Sequence, residues 1–204
     1  AARYHPEDRD LRRMRIEIGT AIRDWTQVHE FLKKQLETAE VGERPALLVS
    51  LAKLAYDELD RAEQGRQFTQ AALYESADYI PALTLFSDKC FHAEEWQDAH
   101  DALVTLLRVE GVHARSDDRY RLAVCRLRLG EPEQAFDALR SLRGEGIYLP
   151  GLYVAYGQAC LATDNRYALA GVVDDLVDEP DPDAVELLRA AARFLDGDPK
   201  TAEA

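Results

Sequence analysis

Two hexapeptides of one pattern stand 67 residues apart: Gly130-Glu131-Pro132-Glu133-Gln134-Ala135 and Gly197-Asp198-Pro199-Lys200-Thr201-Ala202. Two tryptophan hexapeptides, Arg23-Asp24-Trp25-Thr26-Gln27-Val28 and Glu94-Glu95-Trp96-Gln97-Asp98-Ala99, fit the same frame. With Gly65 and Leu169 placed by their flanks, the reference residues are 28, 65, 99, 135, 169 and 202, in steps of 37, 34, 36, 34 and 33. A period of about 34 residues constrains the fold more than composition does. A unit that short cannot bury its apolar face alone and must stack on its neighbours.

Upstream of each reference residue runs an amphipathic segment, such as Tyr120, Leu122, Ala123, Val124, Leu127 and Leu129 before Gly130. The three- and four-residue spacing is that of a helix face. Gly130 and Gly197 suit the left-handed residue that ends a helix, and Pro132 and Pro199 suit a first turn, which tolerates a missing N–H. A second amphipathic stretch follows, as in Ala99, Ala102, Leu103, Leu106 and Leu107, or Ala135, Phe136, Ala138, Leu139 and Leu142. No segment alternates as a strand would, so the expected class is all-α.

The period, the capped hexapeptides and the stretch Ala72-Leu73-Tyr74-Glu75-Ser76-Ala77-Asp78-Tyr79-Ile80-Pro81-Ala82-Leu83, with its proline opening the next helix, resemble tetratricopeptide repeats. The resemblance covers nearly the whole chain and implies a right-handed α-solenoid of about five and a half hairpins. The units are 6–42, 43–78, 79–115, 116–148, 149–180 and an incomplete 181–204. First helices are expected at 6–22, 43–60, 79–92, 116–129, 149–163 and 181–195. Second helices are expected at 24–40, 62–75, 95–108, 131–143 and 165–177, with a stub from 198. Val28 and Leu169 replace the usual small residue, so units one and five are expected to space their helices more widely. His5-Pro6-Glu7-Asp8 resembles the joint between repeats, and the chain reads as a piece of a longer one.

Composition fits a folded, water-soluble array: 204 residues, 47% apolar and 31% charged, with no apolar run near the roughly 18 residues of a membrane span. The formal charge of −13 opposes nucleic-acid binding. It is uneven: residues 1–34 carry +2 and the remainder −15. Arginine far outnumbers lysine, an excess attributed to coding rather than chemistry. Three cysteines cannot all pair within the chain, which points to a reducing compartment and a cytoplasmic location.

No motif supplies a complete reactive centre. Cys90, Cys125 and Cys160 are 35 residues apart, on equivalent faces of successive first helices about 10 Å apart, too far to share a disulfide or a zinc ion, and are expected to fill the core. Trp25 and Trp96 occupy one slot and read as wedges in their hairpins. Asp88 and His92, one turn apart, lack the further members that acid–base or metal chemistry requires. Gly144-Glu145-Gly146 follows a helix, with no lysine of a phosphate loop after it, and is a connection. The acidic run from Asp174 to Glu186 lacks an EF-hand's spacing; it is a solvated connection or, on a sharper reading, a strip for a basic partner. Asp117 and Asp118 after Ser116 mark a helix start. The chain is therefore expected to be no enzyme and to need no metal or cofactor.

The resemblance also implies a concave groove lined by first helices, where partner peptides or helices bind. Side chains expected there include Arg13, Glu17, Ser50, Leu54, Thr84, Asp88, His92, Tyr120, Arg121, Val124, Arg128 and Gln158. The clamp of lysines and asparagines that reads chaperone tails is absent: there are five lysines in all, none in the expected groove. The expected function is that of a scaffold or adaptor holding a protein or peptide partner. The alternatives are a structural spacer or self-association module stacking through its open ends, and a helical support for catalytic parts outside this stretch.

Overall fold

The computed structural model describes residues 16–177, apart from 18 and 22, and residues 182–197. The helices are α1 Trp25–Thr38, α2 Arg44–Asp57, α3 Ala62–Glu75, α4 Ile80–His92, α5 Trp96–Glu110, α6 Ser116–Arg128, α7 Pro132–Gly144, α8 Leu152–Ala162, α9 Arg166–Ala170, α10 Val173–Val177 and α11 Pro182–Asp196, with residues 16–17 and 19–21 also helical. A short 3-10 turn, Gly111–His113, follows α5. Among the described residues there is no strand. The chain is an all-α succession of tandem hairpins, and most helix limits fall within three residues of those expected. Most of the first helix expected at 6–22, and the stub from 198, lie outside the described residues.

The turn inside each hairpin has one design. The residue five before each reference position has a left-handed backbone: Arg23 (φ 57°), Asp60 (51°), Glu94 (59°), Gly130 (80°), Asp164 (54°) and Gly197 (77°). At Glu94 its N–H bonds to the Phe91 carbonyl at 3.2 Å, and the next N–H, of Glu95, reaches back to Cys90 at 2.9 Å. The same pair of bonds recurs at Arg23, Gly130 and Asp164. Paired bonds of this kind satisfy carbonyls that a helix end would otherwise leave bare. The second helix then begins at once, Asp24 and Asn165 accepting the N–H of Gln27 and Ala168.

Contacts divide the chain into two compact units, residues 1–89 and 90–204, with α4 running through the boundary. In the first unit, Val28, Leu32, Leu51 and Leu54 form one buried cluster, and Leu48, Val49, Ala52, Ala72, Ala82 and Leu85 another. Leu54 was expected in the groove, but it is 7% exposed and belongs to this core. A side chain built on Gly19 would lie 2.7 Å from the Val28 methyl, so a glycine facing Val28 makes room for it. Gly65 reverses the arrangement, with the Tyr56 ring in the space its own side chain would take.

In the second unit, α5 buries Ala99, Ala102, Leu103 and Leu106 at helical spacing. A continuous core joins Ala135, Leu139 and Leu142 of α7 with Leu152, Tyr156 and Cys160 of α8, then Leu169, Val172 and Leu176, then Leu187 of α11. The single helix expected at 165–177 is broken. The Val172 N–H bonds to Leu169 three residues back, and the Gly171 carbonyl accepts Nη2 of Arg143 at 2.7 Å. The tightened turn keeps Leu169, Val172 and Leu176 all in the core.

Candidate functional site

Phe91 closes the first helix of its hairpin and Trp96 opens the second. Their rings meet edge to face, 5.5 Å between centroids at 84°. The half-buried Trp96 is thus the wedge its position indicated. The next first helix, α6, lays two guanidinium groups on this pair: Arg121 is 5.7 Å from the Phe91 ring and Arg128 5.7 Å from the Trp96 ring. Such contacts hold a cation through the ring's negative face. Nε of Arg121 also lies 3.1 Å from Oδ2 of Asp117, one turn back. Tyr120 is half-buried against the core of the same unit.

The structure therefore brings Arg121 and Arg128 together around Phe91 and Trp96. His92 is exposed at the end of α4, its ring 6.0 Å from Phe91, and Gln158 is half-buried on α8. Val124 is partly buried against the core. Glu17, exposed, and Asp88, half-buried, fall in residues 1–89; Arg13 lies outside the described residues. Arginine's excess has a chemical role in this fold: Arg66, Arg143 and Arg166 also cover rings, those of Phe86, Tyr156 and Phe194. A flat guanidinium stacks while keeping its in-plane donors, which lysine cannot do.

All three cysteines are buried and unbridged. Burial pushes the Cys125 and Cys160 thiols up to about 11, so both stay protonated and inert near neutral pH. Cys90 has company that comparing cysteines with one another did not reveal: carboxylates of Glu95 and Asp98 lie with its sulfur in a group spanning 4.8 Å. Three such donors would fill only part of a metal's shell. Within the acidic run, Asp175 is spent on Arg143, at 2.7 Å, and residues 178–181 lie outside the described residues. Asp118, at the start of α6, is buried, with both oxygens held by Arg115 at 2.8 and 3.0 Å.

A cleft of about 880 Å³ lies where α7, α8 and the broken α9–α10 pair meet. Its floor is Phe136 stacked on buried Tyr156, centroids 5.5 Å apart at 24°. Arg143 lies over Tyr156, fastened by Asp175 and the Gly171 carbonyl. Arg140, Tyr153 and the 93% exposed Tyr167 complete the walls. Sequence reasoning looked to first helices alone and so missed Phe136, Arg140 and Arg143 of α7 and Tyr167 of α9; Tyr153 and Tyr156 stand on a first helix, α8, but on a face it did not select. The signal available was arginines at 140 and 143 and tyrosines at 153 and 156, each pair at helical spacing.

No protein-family model matches the chain, and no curated protein sequence does. Solved structures do match its fold. MamA of strain AMB-1 is 15% identical over 86% of this chain and 88% of that one, with a TM-score of 0.64. A tetratricopeptide repeat protein from Parabacteroides merdae is 16% identical over 92% and 73%, with a TM-score of 0.69. MamA of strain MSR-1 is 16% identical over 86% and 93%, with a TM-score of 0.59. The likeness is one of fold: this is a tetratricopeptide-like architecture of tandem helical repeats.

Proposed function

We propose that the chain is a tetratricopeptide-type interaction module, without catalytic activity, that holds a segment of a partner protein against the first helices of its hairpins. Tyr120, Arg121 and Arg128 carry the contact, flanked by His92 and Gln158. The observation that supports this reading is the placement of Arg121 and Arg128 on the Phe91–Trp96 pair. Cations already seated on rings lose little side-chain freedom when a partner's carboxylate arrives, and pre-ordering of this kind favours binding. Tyrosine and arginine are the residue types that dominate interface energetics.

The test is quantitative affinity capture from a lysate of the source organism, comparing the chain with a Tyr120→Ala/Arg121→Glu variant at a temperature where circular dichroism shows both folded. A partner retained by the chain and depleted about tenfold or more by the variant is the expected result. Equal recovery by both would remove the first-helix surface from the account.

A further inference from the structure

The large cleft has a smaller counterpart one repeat earlier. A cavity of about 430 Å³ lies between α5 and α7, over α6. Five of its seven lining residues correspond to lining residues of the large cleft, while Arg126 and Ala138 are its own. Val104 and Leu107 of α5 stand 36 residues before Arg140 and Arg143 of α7; Arg119 and Leu122 of α6 stand 34 before Tyr153 and Tyr156 of α8. These are the repeat steps at those points of the sequence, 36 between Ala99 and Ala135 and 34 between Ala135 and Leu169. The two cavities are one furrow between successive second helices, seen twice, with α7 as the shared wall.

The furrow's charge is opposite to that of the chain. Five arginines line its two occurrences, against one acid, Asp175, which Arg143 already neutralises. Arg119 is held by both oxygens of Glu145, at 2.6 and 2.9 Å. Of the other three, Arg108, Arg126 and Arg140, two stand out. Among the described residues Arg140 has no ion pair or hydrogen bond, and Nε of Arg126 is buried without a partner. A guanidinium N–H removed from water and left unpaired is costly, and a carboxylate is the group that best relieves it. Beside these cations stand tyrosine rings and, in the smaller cavity, aliphatic walls.

We infer that this furrow is a second docking surface, separate from the first-helix surface, and that it takes an acidic protein segment with interspersed aromatic side chains. The carboxylates meet Arg126 and Arg140, and the rings lie against Tyr153 and Tyr167. A nucleic acid is the poorer fit. Its unbroken row of phosphates would face the acidic remainder of a chain of charge −13, whereas spaced carboxylates meet cations only at the cavities.

The probe is a fluorescein-labelled random copolymer of glutamate and tyrosine, followed by anisotropy on the 204-residue chain. The test variant is Arg108→Glu/Arg140→Glu, one exposed arginine from each cavity, compared with the parent chain at a temperature where circular dichroism shows both folded. Saturable binding is expected, weakened about tenfold or more by the double charge reversal and untouched by Tyr120→Ala/Arg121→Glu. Polyglutamate without tyrosine binds more weakly. Absence of binding, or equal binding by the charge-reversed variant, overturns the inference. So does loss of binding in the first-helix variant, or competition by oligothymidylate as strong as that of unlabelled copolymer. Because the two surfaces are tested by different variants, either can fail without the other.

Discussion

A left-handed backbone crowds the Cβ of an L-residue, costing about 1–2 kcal/mol, yet four hairpin turns place Arg23, Asp60, Glu94 and Asp164 there. Glycine removes that crowding but loses more chain entropy on folding, so Glu94→Gly should gain about 0.5–1 kcal/mol, read as a higher melting temperature. Asp60→Gly should gain less, because aspartate tolerates this region. His29 is a second point of stress. It is 2% exposed, packs edge-on to Phe68 at 5.9 Å, and has no hydrogen-bond partner at Nε2. Burial, aided by the Lys33 charge and opposed by Glu30, holds its pKa below 6.5. The folded state then binds fewer protons than the unfolded one, so this stability is complete above pH 6.5 and drains away as pH falls through the lowered value. Melting temperature should drop between pH 7 and 5.5, and His29→Phe should flatten that drop; an unchanged slope in the variant would remove His29 as the cause. Neither feature is legible in sequence. Gly130 and Gly197 announced their turns, but Arg23 and Glu94 carry no such mark, and a histidine's burial depends on what packs over it.

At the scale of elements, paired helices meet through complementary sizes. Gly19 faces Val28, and Tyr56 faces Gly65, nine residues apart in each case. A methyl on Gly65 would lie 2.7–2.8 Å from three Tyr56 ring carbons. Gly65→Ala should therefore destabilise: overpacking costs about 1–3 kcal/mol, more than the about 1 kcal/mol that alanine adds in helix propensity. Adding Tyr56→Leu should recover part of the loss. A Gly65→Ala protein that melts above the parent would refute the size-matching account. Helix limits were readable because glycine, proline and the apolar period report on their own neighbourhoods. The break at Gly171 was not, since it follows from seating Leu169, Val172 and Leu176 in one core. Contacts such as Arg121 on Phe91, or Arg143 with Asp175, join residues about one repeat apart, and composition alone suggested only a coding preference.

At the scale of the molecule, the repeat supplies both stability and surface. Each hairpin leaves an apolar face that only a neighbour covers, so stacking makes the core, and the uncovered faces recur at the repeat spacing. The first-helix candidates His92, Tyr120, Arg121, Arg128 and Gln158 and both cavities all fall within residues 90–204, whereas His29 and the glycine contacts above bear on residues 1–89. The sequence period led directly to the tandem hairpins. It led less directly to the site, because a repeat has two kinds of helix and either can present a surface. The most direct test of the central claim is hydrogen exchange of the chain, alone and saturated with its captured partner. The account predicts slowed exchange in peptides covering α6 and the end of α4, abolished by Tyr120→Ala/Arg121→Glu. Protection confined to α1–α3, or no change anywhere on saturation, would contradict it.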